Sequence, residues 1–132
     1  MSATEVRGIG IDVVEVRRIE RALTRWGEAF VTRVFTPGEE GRARHPRVRS
    51  RRLAVRFAAK EAVMKALGLG WRTMAWHEIE IVPDPLGRPT VRLRGGAAQA
   101  AQQRGVGTIH VTLSHTRDLA LAGAVALGAP ST

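Results

Sequence analysis

The spacing of apolar and polar residues changes along this chain, and each change marks an element. In residues 6–13, Ile9, Ile11 and Val13 alternate with Gly8, Gly10 and Asp12, the two-residue period of a strand. The segment VEVRRIERALTRW then sets Val16, Ile19 and Leu23 at helical spacing, with Arg17, Arg18, Arg21 and Arg25 facing outward. Short helices are expected over EAFVTRVF and after the TPGEE turn, where Thr36 can cap and Pro37 can occupy the first turn. From Gly41 to Lys60 there is no acidic residue; Pro46 interrupts this stretch, so its first half is read as a loop. The strongest helical pattern, RLAVRFAAKEAVMKALG, follows and is closed by Gly68 and Gly70. HEIEIVPD and RPTVRL read as strands about a DPLGRP turn, and GGAAQAAQQRG reads as a short helix. TIHVTLSH and LALAGAVAL form a closing strand pair joined by TRD. This order predicts one α+β domain over residues 1–132, a small mixed sheet packed on a long central helix.

The long helix carries two apolar stripes. Val55, Ala58, Ala59, Ala62, Val63, Ala66 and Leu67 form a broad one; Leu53, Phe57 and Met64 lie on roughly the opposite side. A surface helix needs only one, so this helix is expected to be covered on two sides, by the rest of the chain or by a second copy. Glu61 falls between Phe57 and Lys65 and is not expected to be freely solvated. Taken alone, Glu61 and Lys65 form an ordinary acid-first pair worth a few tenths of a kcal/mol. Gly8 and Gly10 leave the strand bare on the face that Asp12 shares, either for a large ligand or for a closely packed helix.

Composition adds constraints. With 132 residues, 44% hydrophobic and 25% charged, the chain fits an ordinary soluble domain, and no apolar run approaches the ~20 residues of a membrane span. The amino terminus lacks the pattern of a signal peptide, and with no cysteine there is no disulfide framework or thiolate metal site, so a cytoplasmic location is expected. The net charge of +9 calls for an anionic partner. Of the basic residues, 19 are arginine; the two lysines, Lys60 and Lys65, stand together, which suggests positions that want a compact ammonium. Asp12 and Glu61 suit Mg²⁺, which is commonly held by one or two carboxylates and completed by water and phosphate oxygens. These features point to metal-assisted chemistry on a phosphate ester. The alternative is a basic nucleic-acid-binding domain, although the chain has no tyrosine and no interleaved aromatic platform for stacking bases.

The segments GIGIDVVEVRRIE, RLAVRFAAKEAVMKALGLG, DPLGRPTVRL and VTLSHTRDLALAGAVA, in that order, resemble the holo-acyl-carrier-protein synthases, small stand-alone phosphopantetheinyl transferases. The resemblance implies the 4′-phosphopantetheinyl transferase fold. It also implies transfer of the 4′-phosphopantetheine group from coenzyme A to a serine of apo acyl carrier protein in fatty acid biosynthesis, with release of adenosine 3′,5′-bisphosphate. It assigns Asp12 and Glu61 to Mg²⁺, and Lys65 to the departing bisphosphate. The serine proton would go to Glu61 or to a metal-bound water. Arg56, Lys60, Gly87, Arg88, Pro89, Ser114 and His115 match coenzyme A contacts, and Arg18, Arg21 and Arg25 match a face that docks the acidic carrier. On this reading the bare strand face makes room for the coenzyme. The family is typically a homotrimer with active sites between subunits. Trp71, after the glycine pair, stands where the family often has a smaller residue, and the basic stretch from Arg42 to Arg52 is denser than that region generally needs.

Overall fold

The computed structural model describes residues 5–41, 45–70 and 75–130; Arg42, Arg44 and Trp71 lie outside the described residues. The elements follow the expected order. They are β1 (Val6–Glu15), α1 (Val16–Trp26), α2 (Glu28–Val34), α3 (Pro37–Glu40), α4 (Pro46–Ala66), a 3₁₀ turn (Trp76–Glu78), β2 (Ile79–Pro83), β3 (Pro89–Leu93), α5 (Gly95–Gln103), β4 (Val106–His115) and β5 (Leu119–Gly128). The strands divide into two small sheets. One is antiparallel with order β1-β5-β4; the other is the separate antiparallel hairpin β2-β3.

Pro46 corrects the loop expected there. It opens α4, six residues ahead of the expected start, because the first helical position needs no backbone donor. His45 caps that end, its Nδ1 accepting from the Arg47 amide at 3.2 Å. Thr36 and Glu39 form a capping box on α3, with the Thr36 amide donating to Glu39 Oε1 at 2.9 Å.

Both stripes of α4 are buried within the chain. Alanines and valines of the broad stripe face the sheet, where Ala120, Ala122, Ala124 and Ala126 of β5 are also buried. Leu53, Phe57 and Met64 of the second stripe are covered too, Phe57 by the ring of Trp76 at 4.8 Å and 23°. The second stripe therefore does not require another subunit. The exposed apolar surface lies elsewhere, on the outer face of the three-stranded sheet, where Ile9 is 72% and Ile11 67% exposed.

The bare row of β1 is occupied by the helix, which corrects the expectation that it makes room for a coenzyme. A Cβ placed on Gly8 would lie 1.8 Å from the Ala66 carbonyl oxygen, and one on Gly10 would lie 2.0 Å from that of Ala62. The registers match: two strand residues span ~6.6 Å, and four helix residues rise ~6 Å. Strand and helix backbones thus meet at Gly8–Ala66 and again at Gly10–Ala62, and the next inward residue is Asp12. Gly10→Ala is expected to lower stability by about 1–3 kcal/mol or more through overpacking against backbone, read as a fall in the urea midpoint; an unchanged midpoint would contradict this contact.

Candidate active site

Asp12 is the third residue of the inward row, opposite Ala122 in β5. The close seating of α4 delivers Lys65 and Glu61 to it. Lys65 Nζ donates to the Ile11 carbonyl at 2.9 Å and to Asp12 Oδ1 at 3.1 Å. The Asp12 side chain is 11% exposed, and its second oxygen, Oδ2, is buried with no hydrogen-bond partner. Glu61 is half-buried beside it. Burial, then the charge and hydrogen bonding of Asp12, push the Glu61 carboxyl up to about 7, against the pull of Arg18 and Lys65. Two crowded carboxylates with one buried, unpartnered oxygen form a donor set suited to a hard divalent cation. Among the described residues no cluster of three or more His, Cys, Asp or Glu side chains could hold a metal. An ion at Asp12 and Glu61 would thus keep positions open to phosphate oxygens.

Lys60 is one residue from Glu61, but its side chain points into the interior and is fully buried. Its ammonium donates to the Trp76 carbonyl at 3.0 Å and to the Ile79 carbonyl at 2.5 Å, and pairs with Glu39 Oε1 at 2.7 Å. Three donors meet three acceptors. Burial pushes this ammonium down, while Glu39 and Glu80 pull it back up. Glu39 also accepts from the Ile81 amide at 2.8 Å, and Glu80 accepts from the Thr36 hydroxyl and from Arg94 at 3.2 Å. Lys60 therefore cannot touch coenzyme A as expected; it ties α4 to α3 and β2. Removing one partner of such a buried pair costs about 3–5 kcal/mol.

Arg56 does face a cavity. With Arg51, Arg52, Val48, Val55 and His115 it lines about 250 Å³. The Nε atoms of Arg52 and Arg56 are buried without partners, and burial and Arg52 hold the Arg56 guanidinium below its usual range. Unpartnered guanidinium donors at its wall suit this pocket to an anion. His115 lines it from the inner face of β4. Ser114 pairs with Leu121 on the outer face, so the expected pair is split between the two sides of the sheet. Gly87 and Arg88 lie in the β2–β3 turn and Pro89 opens β3; the turn is organised by Asp84 Oδ1, which accepts from the amides of Leu86 and Arg88 at 2.9 Å each. Pro89 lines a separate cleft of about 430 Å³ with Val91, Ala101 and His110. Arg21 and Arg25 are exposed on α1, Arg25 lying over Trp26 at 5.0 Å.

Arg18, expected only on the docking face, lies over the Phe57 ring at 5.4 Å, and its charge is felt at Glu61. No local pattern signalled this, because Arg18 and Phe57 are 39 positions apart and meet only when α1 packs on α4. Glu39 could have been anticipated from its place three residues after Thr36 in the capping box.

Fold and site together define an α+β domain whose crowded carboxylate pair suits a hard cation and whose helix α4, which carries Glu61, also lines an arginine-rich pocket. Residues 8–122 match the family model of the 4′-phosphopantetheinyl transferase superfamily. The holo-[acyl-carrier-protein] synthase of Solidesulfovibrio magneticus is 48% identical over 124 residues, covering 93% of this chain and 99% of that protein. Among solved structures, the holo-[acyl-carrier-protein] synthase of Neisseria meningitidis aligns with a TM-score of 0.81 at 36% identity, covering 92% of this chain and 98% of the other. That of Bacillus anthracis, in complex with CoA (3′,5′-ADP), aligns with a TM-score of 0.74 at 28% identity, covering 96% and 100%. The chain belongs to the 4′-phosphopantetheinyl transferase superfamily.

The raised Glu61 has a consequence for stability. The folded protein keeps that proton to about pH 7, whereas an unfolded chain releases it near ~4.3. Between those values the folded state binds more protons, so stability of the metal-free protein falls as pH rises. Glu61→Gln should flatten that decline. Urea midpoints in EDTA at about pH 5 and about pH 7.5 check this; equal slopes for wild type and variant would contradict it.

Proposed function

We propose that this chain transfers the 4′-phosphopantetheine group of coenzyme A to a serine of apo acyl carrier protein. The products are holo-carrier and adenosine 3′,5′-bisphosphate, and the reaction depends on Mg²⁺. The observation that carries this is the Asp12–Glu61 pair with the unpartnered Asp12 oxygen, next to Lys65. Asp12 and Glu61 would hold Mg²⁺, which when bound neutralises the pyrophosphate and favours in-line displacement. Lys65, half-exposed and steadied by the Ile11 carbonyl, supplies positive charge for the departing bisphosphate. Glu61, tuned towards neutrality, is the group in the site suited to accept the serine proton. Arg51, Arg52, Arg56 and His115 offer an anion pocket to the coenzyme's phosphates. Arg18, Arg21 and Arg25 on α1 offer a basic face to the acidic carrier. The reaction on this reading serves fatty acid biosynthesis in the cytoplasm; separately, no helix among the described residues is long and apolar enough to cross a membrane.

Intact mass spectrometry of an apo acyl carrier protein with coenzyme A and Mg²⁺ tests this reading. The carrier should gain one phosphopantetheine arm, and EDTA should prevent it. Asp12→Ala and Glu61→Ala should each lower transfer to the EDTA background, beyond the ~10–100-fold that losing an outer partner of a metal site costs, with unchanged circular dichroism. A near wild-type rate in either variant would overturn the two-carboxylate site.

The functional unit in this proposal is a homotrimer with active sites between subunits. The exposed row of Ile9, Ile11, Val13 and Val125 supports it, as does the Gly87–Pro89 segment, whose Pro89 lines a different cleft from Arg56 and His115. Ile11→Asp should convert a trimer to monomers in analytical ultracentrifugation and abolish transfer. A wild type that is monomeric and fully active would rule the trimer out.

A further inference from the structure

A continuous chain of contacts runs from the buried ion pair to an exposed arginine beside the carboxylates. Glu39 fixes Lys60, and Lys60 holds the backbone carbonyl of Trp76 at 3.0 Å. The Trp76 ring stacks on Phe57, which is 6% exposed, and the Arg18 guanidinium lies over that same Phe57 ring. Phe57 is buried and Trp76 is partly buried against it, so the two rings form a floor beneath the guanidinium. Arg18 itself is exposed on α1, and a free arginine there would sample many rotamers. A ring beneath the guanidinium removes part of that freedom before any partner arrives, which lowers the ordering cost of binding.

We propose that Phe57 and Trp76, anchored through Lys60, are positioning residues that hold Arg18 ready for an acidic group of the carrier. This rests on the transferase reading above. The floor acts on the carrier only through Arg18, which distinguishes it from ordinary core packing. Loss of the ring should then weaken carrier binding without changing the KM for coenzyme A.

A thermodynamic cycle tests the proposal. An apo acyl carrier protein whose serine is replaced by alanine is titrated calorimetrically onto wild type, Phe57→Leu, Arg18→Ala and the double variant, without metal or coenzyme. Phe57→Leu should weaken binding about two- to fivefold, the range of an exposed cation–π contact. Arg18→Ala should weaken it more, and the double variant should bind no worse than Arg18→Ala. If Phe57→Leu does not fold by circular dichroism, Trp76→Leu runs the same cycle from its partly exposed position. Equal penalties for the ring in the presence and absence of Arg18, or a parallel rise in the coenzyme A KM, would overturn the proposal. Wild-type transfer, measured alongside by mass spectrometry, separates the two levels: no transfer refutes the functional reading, whereas transfer with an additive cycle refutes only the positioning role.

Discussion

The close approach of α4 to β1 is the constraint on which the rest of the structure depends. At Gly8 and Gly10 the carbonyl oxygens of Ala66 and Ala62 occupy the volume a Cβ would need. The neighbouring strand continues the same rule, with alanine at every inward position from Ala120 to Ala126. A row of minimal side chains lets a helix lie almost on the sheet backbone. Where that row ends, Asp12 is the first inward residue with a functional group, and it is pressed into a helix face carrying Glu61 and Lys65. The site is a product of the packing: desolvation of Glu61 and the orphaned Asp12 oxygen both follow from a helix seated this close.

Charge is sorted with the same economy. The two lysines stand where an ammonium fits and a planar fork would not. Lys60 distributes three donors among Glu39, Trp76 and Ile79, and Lys65 reaches both a strand carbonyl and the Asp12 carboxylate. One is structural and the other faces the chemistry, although they are five residues apart on one helix. Arginine takes the remaining surface roles, some of them internal: Arg49 pairs with Glu28 at 2.9 Å, so part of the +9 charge is already engaged within the chain. Among the described residues, Arg51, Arg52 and Arg56 gather around one pocket, and Arg17, Arg18, Arg21 and Arg25 lie together on α1.

Much of this architecture was legible in the sequence because it depends on local period. Alternation marked β1, the 3.6-residue rhythm marked α1 and α4, and Gly/Pro punctuation marked the β2–β3 turn. Asp12, Glu61 and Lys65 stood out by residue type and spacing, and the family resemblance gave them roles; the structure brings all three together. Misreadings arose where one residue has two local meanings. Pro46 breaks a helix interior but begins a helix at its first position, and only the His45 cap distinguishes the cases. A glycine row admits either a ligand or a helix.

By itself, then, the sequence determined the order of elements, the faces of the strands and the identity of the carboxylate pair, since each is encoded in spacing along the chain. Tertiary structure alone decided which side of α4 each residue serves. Lys60 and Glu61 are adjacent, yet one is sealed against Glu39 and the other opens toward Asp12. The choice depends on α3 and β2 packing on one flank of the helix and β1 on the other, contacts between residues more than 50 positions apart, as at Lys65 and Ile11, that no local pattern carries.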